Sequence, residues 1–197
     1  QIAGLKKGLE NTIPRHVIKN IRKVIITGCG DSYLAARASI PAFKKYAGAF
    51  ASSFEAHRNI DVARKMVFDP KNAESTLVVE VSASGGAVRI EETLLRAKRY
   101  GCKTLIVTNN PDSSGARAAE YTMIVNTPEF SEPGPGLRNY YASLGGLFSL
   151  AAYMGEAKGI QPDGTLAALY NAIGKYTADF ARVMDDIDDQ AFKIAVE

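Results

Sequence analysis

At 197 residues, with 46% hydrophobic and 23% charged side chains, the chain has the size and apolar content of one α/β domain with appended segments. A net charge of +3, with both signs spread along the sequence, provides no basic stripe for nucleic acid. No apolar run approaches the roughly 18 residues of a membrane span, and the two distant cysteines, Cys29 and Cys102, form neither a metal-ligand spacing nor a disulfide framework. A reducing, cytoplasmic setting without metal or cofactor is therefore expected, with no nucleic-acid or membrane partner. The chain lacks an initiator Met and ends abruptly at Glu197, which reads as a piece of something longer.

Residues 1–20 are expected to form an amphipathic lead-in helix, with Ile2, Leu5, Leu9 and Ile13 on one face and a break at Pro14. Lys23 to Thr27 is a short apolar, β-branched run that predicts a buried strand. It hands over at Gly28-Cys29-Gly30-Asp31-Ser32 to a helical pattern from Tyr33 to about Lys45. Residues 49–54 predict a second strand, ending in Glu55-Ala56-His57-Arg58. Thr76-Leu-Val-Val-Glu-Val81 predicts a third, broken by Ser82-Ala83-Ser84-Gly85-Gly86. Apolar residues at 87, 90, 94, 97 and 100 then give a helical spacing.

Residues 103–108 predict the fourth strand, 109–115 a loop, 116–119 a short helix and 121–125 the fifth strand. The stretch 126–138 is rich in Pro and Gly and carries Glu129, Glu132 and Arg138. A long helix is expected over 139–157, buried through its apolar 142–152 stretch. One or two amphipathic helices over 160–192 are expected outside the sheet. The implied division is a lead-in over 1–20, a domain over 21–158 and a helical connector over 159–197. Strands alternating with helices imply right-handed crossovers. The expected fold is an α/β three-layer sandwich: a five-stranded parallel sheet in flavodoxin-like order, with helices on both faces.

Ligands of such sheets sit outside the carboxyl ends of the strands. Both glycine- and hydroxyl-bearing junctions fall there. At the second, free N–H groups and the helix dipole favour an anion, the serines add hydroxyl donors, and the glycines allow close backbone approach. The natural guest is a phosphate. A plain strand–turn–helix would use the same residues, serine as a cap and glycine as a turn. Neither a Walker A loop nor a dinucleotide fingerprint occurs.

Three segments carry a family resemblance: Ile26-Thr-Gly-Cys-Gly-Asp-Ser-Tyr33, Glu80-Val-Ser-Ala-Ser-Gly-Gly-Ala87 and Thr108-Asn-Asn-Pro-Asp-Ser-Ser114. With their spacing they resemble the SIS (sugar isomerase) domains over roughly residues 20–157, and in particular the first of two tandem SIS domains in the glucosamine-6-phosphate synthase class. The resemblance implies that Ser82, Ala83, Ser84, Gly85, Gly86 and Ala87 hold a sugar phosphate and that Gly30, Asp31 and Ser32 help to hold the sugar. Ligands of the fructose 6-phosphate, glucosamine 6-phosphate or fructosamine phosphate class are implied, as is a homodimer. Relatives usually carry a hydroxyl residue where Ala87 stands, often Glu at Gly86, and Thr or Lys at Asp31. Asp31 leaves room for an amine-bearing substrate.

Aldose–ketose isomerisation needs a general base and a ring-opening acid. Glu55 and His57, expected just past a strand end, are one candidate pair, and Glu132 with Arg138 is another; each pair also fits an ordinary surface ion pair or cap. The functions implied are an (amino)sugar-phosphate isomerase, an isomerising aminotransferase or deaminase, or a fructosamine-phosphate deglycase. The alternative is a non-catalytic phosphosugar-sensing module.

Overall fold

The computed structural model describes residues 8–48, 53–127 and 136–196. Ile2, Leu5, Glu129 and Glu132 lie outside the described residues. Five strands form one sheet: β1 Lys23–Gly28, β2 Ser53–Arg58, β3 Thr76–Val81, β4 Lys103–Thr108 and β5 Tyr121–Ile124. All neighbours pair in parallel, in the order β2-β1-β3-β4-β5. This is the expected flavodoxin-like order, with β1 and β3 at the centre and buried throughout except at Lys23.

The helices are α1 Arg15–Asn20, α2 Asp31–Ala47, α3 Asn59–Arg64, α4 Val88–Arg99, α5 Ser114–Ala118, α6 Leu137–Ala157, α7 Thr165–Ala181 and α8 Met184–Val196; residues 8–12 are helical as well. Pro14 separates that first turn from α1, as its missing N–H requires. The pleat sends Val24, Ile26, Leu77, Val79 and Val81 toward α1, α2 and α6. On the other face, Ile25 and Val78 meet Val62 of α3 and Ala97 of α4, and Ile106 meets Ile90 and Leu94. Helices on both faces complete the three-layer sandwich.

Two placements differ from the sequence reading. β2 runs on to Arg58, so Glu55 and His57 lie inside a strand and not beyond its end. The six-residue helix α3 was not expected, because its sequence, NIDVAR, offers less than two turns of periodicity and buries only Asn59 and Val62. The segments around Ile13 and Gly164 are tied to the core through α6. Tyr153, fully buried, donates its hydroxyl to Ile13 O at 3.0 Å. Glu156 Oε1 accepts from the N–H groups of Gly164 at 3.1 Å and Leu166 at 2.9 Å, fixing the start of α7. α8 buries no side chain. Among the described residues, no helix is long and apolar enough to cross a membrane.

A tight contact behind the sheet joins α2 to α6. A Cβ on Gly155 would overlap the backbone oxygen of Tyr46 and come within 2.7 Å of the Gln161 side chain. The backbone oxygen cannot rotate away. Gly155→Ala is therefore expected to lower stability by about 1–3 kcal/mol, the usual cost of overpacking. Urea unfolding checks this; an unchanged midpoint would mean that the two helices separate without cost.

Candidate functional site

The register of β1 on β3, from Lys23↔Thr76 to Gly28↔Val81, ends both strands at one level. The loops that follow, Cys29–Gly30 and Ser82–Ala87, therefore stand side by side. Between them lies a cavity of about 310 Å³, lined among others by Gly28, Cys29, Gly30, Ser32, Tyr33, Ser82 and Ala87, and by Arg58, Asn59, Glu80 and Arg89.

The Ser82–Ala87 loop is braced from within and from the side. Ser82 is buried, and its Oγ accepts from Gly85 N at 3.1 Å. The Ala83 carbonyl accepts from Thr108 Oγ1 at 3.1 Å and Asn109 N at 3.0 Å, and the Gly85 carbonyl accepts from Gly115 N at 2.9 Å. Gly85 has φ +63°, a left-handed conformation, and a Cβ there would overlap Ser113 Oγ. Ser113 is itself held as the cap of α5, its Oγ accepting from Ala116 N at 3.1 Å.

Ser84, Gly86 and Ala87 are exposed on the outer side of this scaffold. Ala87 caps α4 with no side-chain hydrogen bond; Ile90 N donates to the Ala87 carbonyl at 2.9 Å, so the N–H groups of Val88 and Arg89 are the ones open to an outside acceptor. In the other loop, Gly30 caps α2, again without a side-chain bond. Asp31 and Ser32 open that helix, and only Ser32 reaches the cavity wall. Of the sequence-predicted binding residues, the structure thus gathers Gly30, Ser32, Ser82 and Ala87 around one cavity. Ser84 and Gly86 belong to the same loop but not to the cavity wall, and Ala83 and Gly85 serve the bracing.

The proposed acid–base pair is elsewhere. Glu55 bonds Lys23 Nζ, across on β1, and His57 Nε2, along β2, each at 3.0 Å. Burial raises the Glu55 pKa, but the His57 and Lys23 hydrogen bonds outweigh it and hold the carboxyl below its ordinary range. Neither residue lines the cavity. The second candidate, Glu132, lies outside the described residues.

A carboxyl that sequence reasoning passed over sits at the centre. Glu80, on β3, is fully buried, and its Oε2 accepts from Asn59 Nδ2 at 2.7 Å. Burial drives its pKa well above the usual carboxylate range, against the lowering effect of the Asn59 bond. The register sets Glu80 beside Thr27 and Thr27 beside His57, so a row of three polar residues runs across this face of the sheet. The signal in the sequence was a lone glutamate inside a buried strand, TLVVEV; such a group must be neutral or partnered. A carboxyl with a raised folded pKa stabilises the fold below its unfolded pKa, and that contribution is lost as pH rises through the folded pKa. Glu80→Gln is therefore expected to raise the melting temperature relative to wild type at pH 8 more than at pH 4. An equal difference at both pH values would mean that Glu80 does not titrate with an elevated pKa.

Comparison with known proteins follows from this geometry. A family model described as the SIS domain matches residues 17–153. A glutamine–fructose-6-phosphate aminotransferase (isomerizing) of Bacillus licheniformis is 30% identical over 139 residues, covering 70% of this chain and 22% of its own length. The chain thus spans about a quarter of the length of such curated relatives. Among solved structures, the C-terminal domain of glucosamine-fructose-6-phosphate aminotransferase from Francisella tularensis superposes with a TM-score of 0.63 at 17% identity, covering 93% of this chain and 51% of that one. An E. coli CFT073 protein, solved as a ligand complex, superposes at 0.61 and 19% identity, covering 86% of this chain and 93% of that one. At these identities the structural likeness speaks for the fold.

Proposed function

The chain belongs to the SIS domain family, and we propose on that premise that it binds a sugar phosphate at the Ser82–Ala87 loop. Ser84 and the N–H groups at the start of α4 take the phosphate, Ser82 supplies a further hydroxyl, and the sugar enters the cavity between the β1 and β3 loops. The observation that carries this reading is the uncapped N-terminus of α4 set beside two serines and a cavity large enough for a small ligand. Arg58 and Arg89 on the cavity wall add positive charge, each shared with a neighbouring carboxylate, Asp61 and Glu92.

Within a longer protein the domain serves an enzyme that isomerises or aminates a C6 sugar phosphate, in keeping with the names of the curated relatives. Losing a hydrogen bond to a charged group costs about 1.5–3 kcal/mol. Ser84→Ala is expected to weaken fructose 6-phosphate binding by that amount in calorimetry, and an unchanged affinity would remove Ser84 from the site.

The chain by itself is expected to bind without turning over. The Glu55–His57 pair stands away from the cavity, and burial shifts Glu80, on the cavity wall, toward its protonated form. A positioned general base contributes about 10²–10⁴-fold in rate. Solvent deuterium incorporation into fructose 6-phosphate is accordingly expected to stay near background. Robust incorporation, abolished by Glu55→Gln, would place the base in this domain.

A further inference from the structure

The cavity has a polar wall that phosphate binding leaves unused. Glu80 and Asn59 both line it, and both are buried, at 0% and 3% exposure. One hydrogen bond joins them, Asn59 Nδ2 to Glu80 Oε2. Their other oxygens, Glu80 Oε1 and Asn59 Oδ1, have no partner, and neither has Oγ1 of Thr27, the residue beside Glu80 in the register. Buried polar groups are nearly always satisfied, because an unpaired one is destabilising. Three such oxygens on adjoining strands and a helix start, next to a cavity, are a retained cost that a ligand can relieve.

We propose that Glu80 and Asn59 form a subsite that recognises a hydroxyl group on the sugar of the bound phosphosugar, an assignment that rests on the phosphosugar reading above. Glu80 lies two residues before Ser82, about 7 Å along an extended strand, within the span of one sugar phosphate. The chemistry selects the group. A neutral carboxylic acid donates one hydrogen bond, and the free amide oxygen of Asn59 accepts one. A hydroxyl answers both, accepting from the acid and donating to the amide. An ammonium group has no acceptor to offer, so it would force Glu80 to ionise in a fully buried position near the phosphate. Asn59 fixes which Glu80 oxygen remains available, because it already holds the other.

The test is calorimetry on this chain with two probes, inorganic phosphate and fructose 6-phosphate, against wild type, Glu80→Leu, Glu80→Gln and Asn59→Ala. Glu80→Leu and Asn59→Ala are each expected to weaken fructose 6-phosphate by about ten-fold and to leave inorganic phosphate within about two-fold. Glu80→Gln, which keeps a donor and an acceptor, restores most of the loss. Fructose 6-phosphate affinity unchanged in both Glu80→Leu and Asn59→Ala overturns the subsite while leaving the phosphosugar reading intact. Equal losses for both probes make the pair a structural support and overturn it too. A wild-type chain that binds neither probe removes the phosphosugar reading and the subsite with it. Should Glu80→Leu not fold, Asn59→Ala carries the comparison alone. In a further titration of the same variants with glucosamine 6-phosphate, a loss there with none for fructose 6-phosphate would assign the pair to an amine and overturn the hydroxyl.

Discussion

The in-register pairing of β1 with β3 is the constraint on which the rest of the molecule depends. Six consecutive partners, Lys23↔Thr76 to Gly28↔Val81, bring the two strands to the same height. A slip of one residue would turn Val79 and Val81 toward α3 and α4 and Glu80 into the larger core behind the sheet. The hydrophobic pattern forbids it, because that core is built from Val24, Ile26, Leu77, Val79 and Val81 against α2 and α6. The packing that stabilises the sheet therefore also sets level the two loops that flank the cavity. The site inherits its geometry from the core.

A second layer keeps the loop rigid. The Ser82–Ala87 loop owes its shape to the end of β4 and the segment after it, whose backbone and hydroxyls hold Ala83 and Gly85 from the side. Ser113 and Gly115 do not line the cavity, yet the left-handed turn at Gly85 leaves space for nothing larger against Ser113. Preorganisation of this kind lowers the ordering cost that a ligand would otherwise meet on binding.

Much of this was legible in the sequence, and the reasons are specific. β4 falls on residues 103–108, as its apolar run between polar turns required. The strand-to-helix junctions at Gly28–Ser32 and Ser82–Ala87 were readable because glycine and serine mark such turns independently of tertiary contacts. Short elements were not: α3 carries too few residues for a period, and β2 continues through Glu55 and His57 because a sheet-edge strand tolerates partly exposed charge on one face. Glu80 was visible as a letter but not as a chemical state. Only the burial of its face, which outweighs the lowering effect of the hydrogen bond from Asn59, twenty-one residues earlier, pushes its pKa well above the usual carboxylate range.

The two thiols of the fold differ in a way that bears on how it can be observed. Cys102 is buried under Phe68 and Tyr100, and burial pushes its pKa up to about 11, which keeps it unreactive near neutral pH. Cys29 is exposed and forms part of the cavity wall. The unmodified chain therefore offers one accessible thiol on the wall of the proposed binding site. An environment-sensitive fluorophore attached there would report on whatever enters that cavity, without introducing a single substitution.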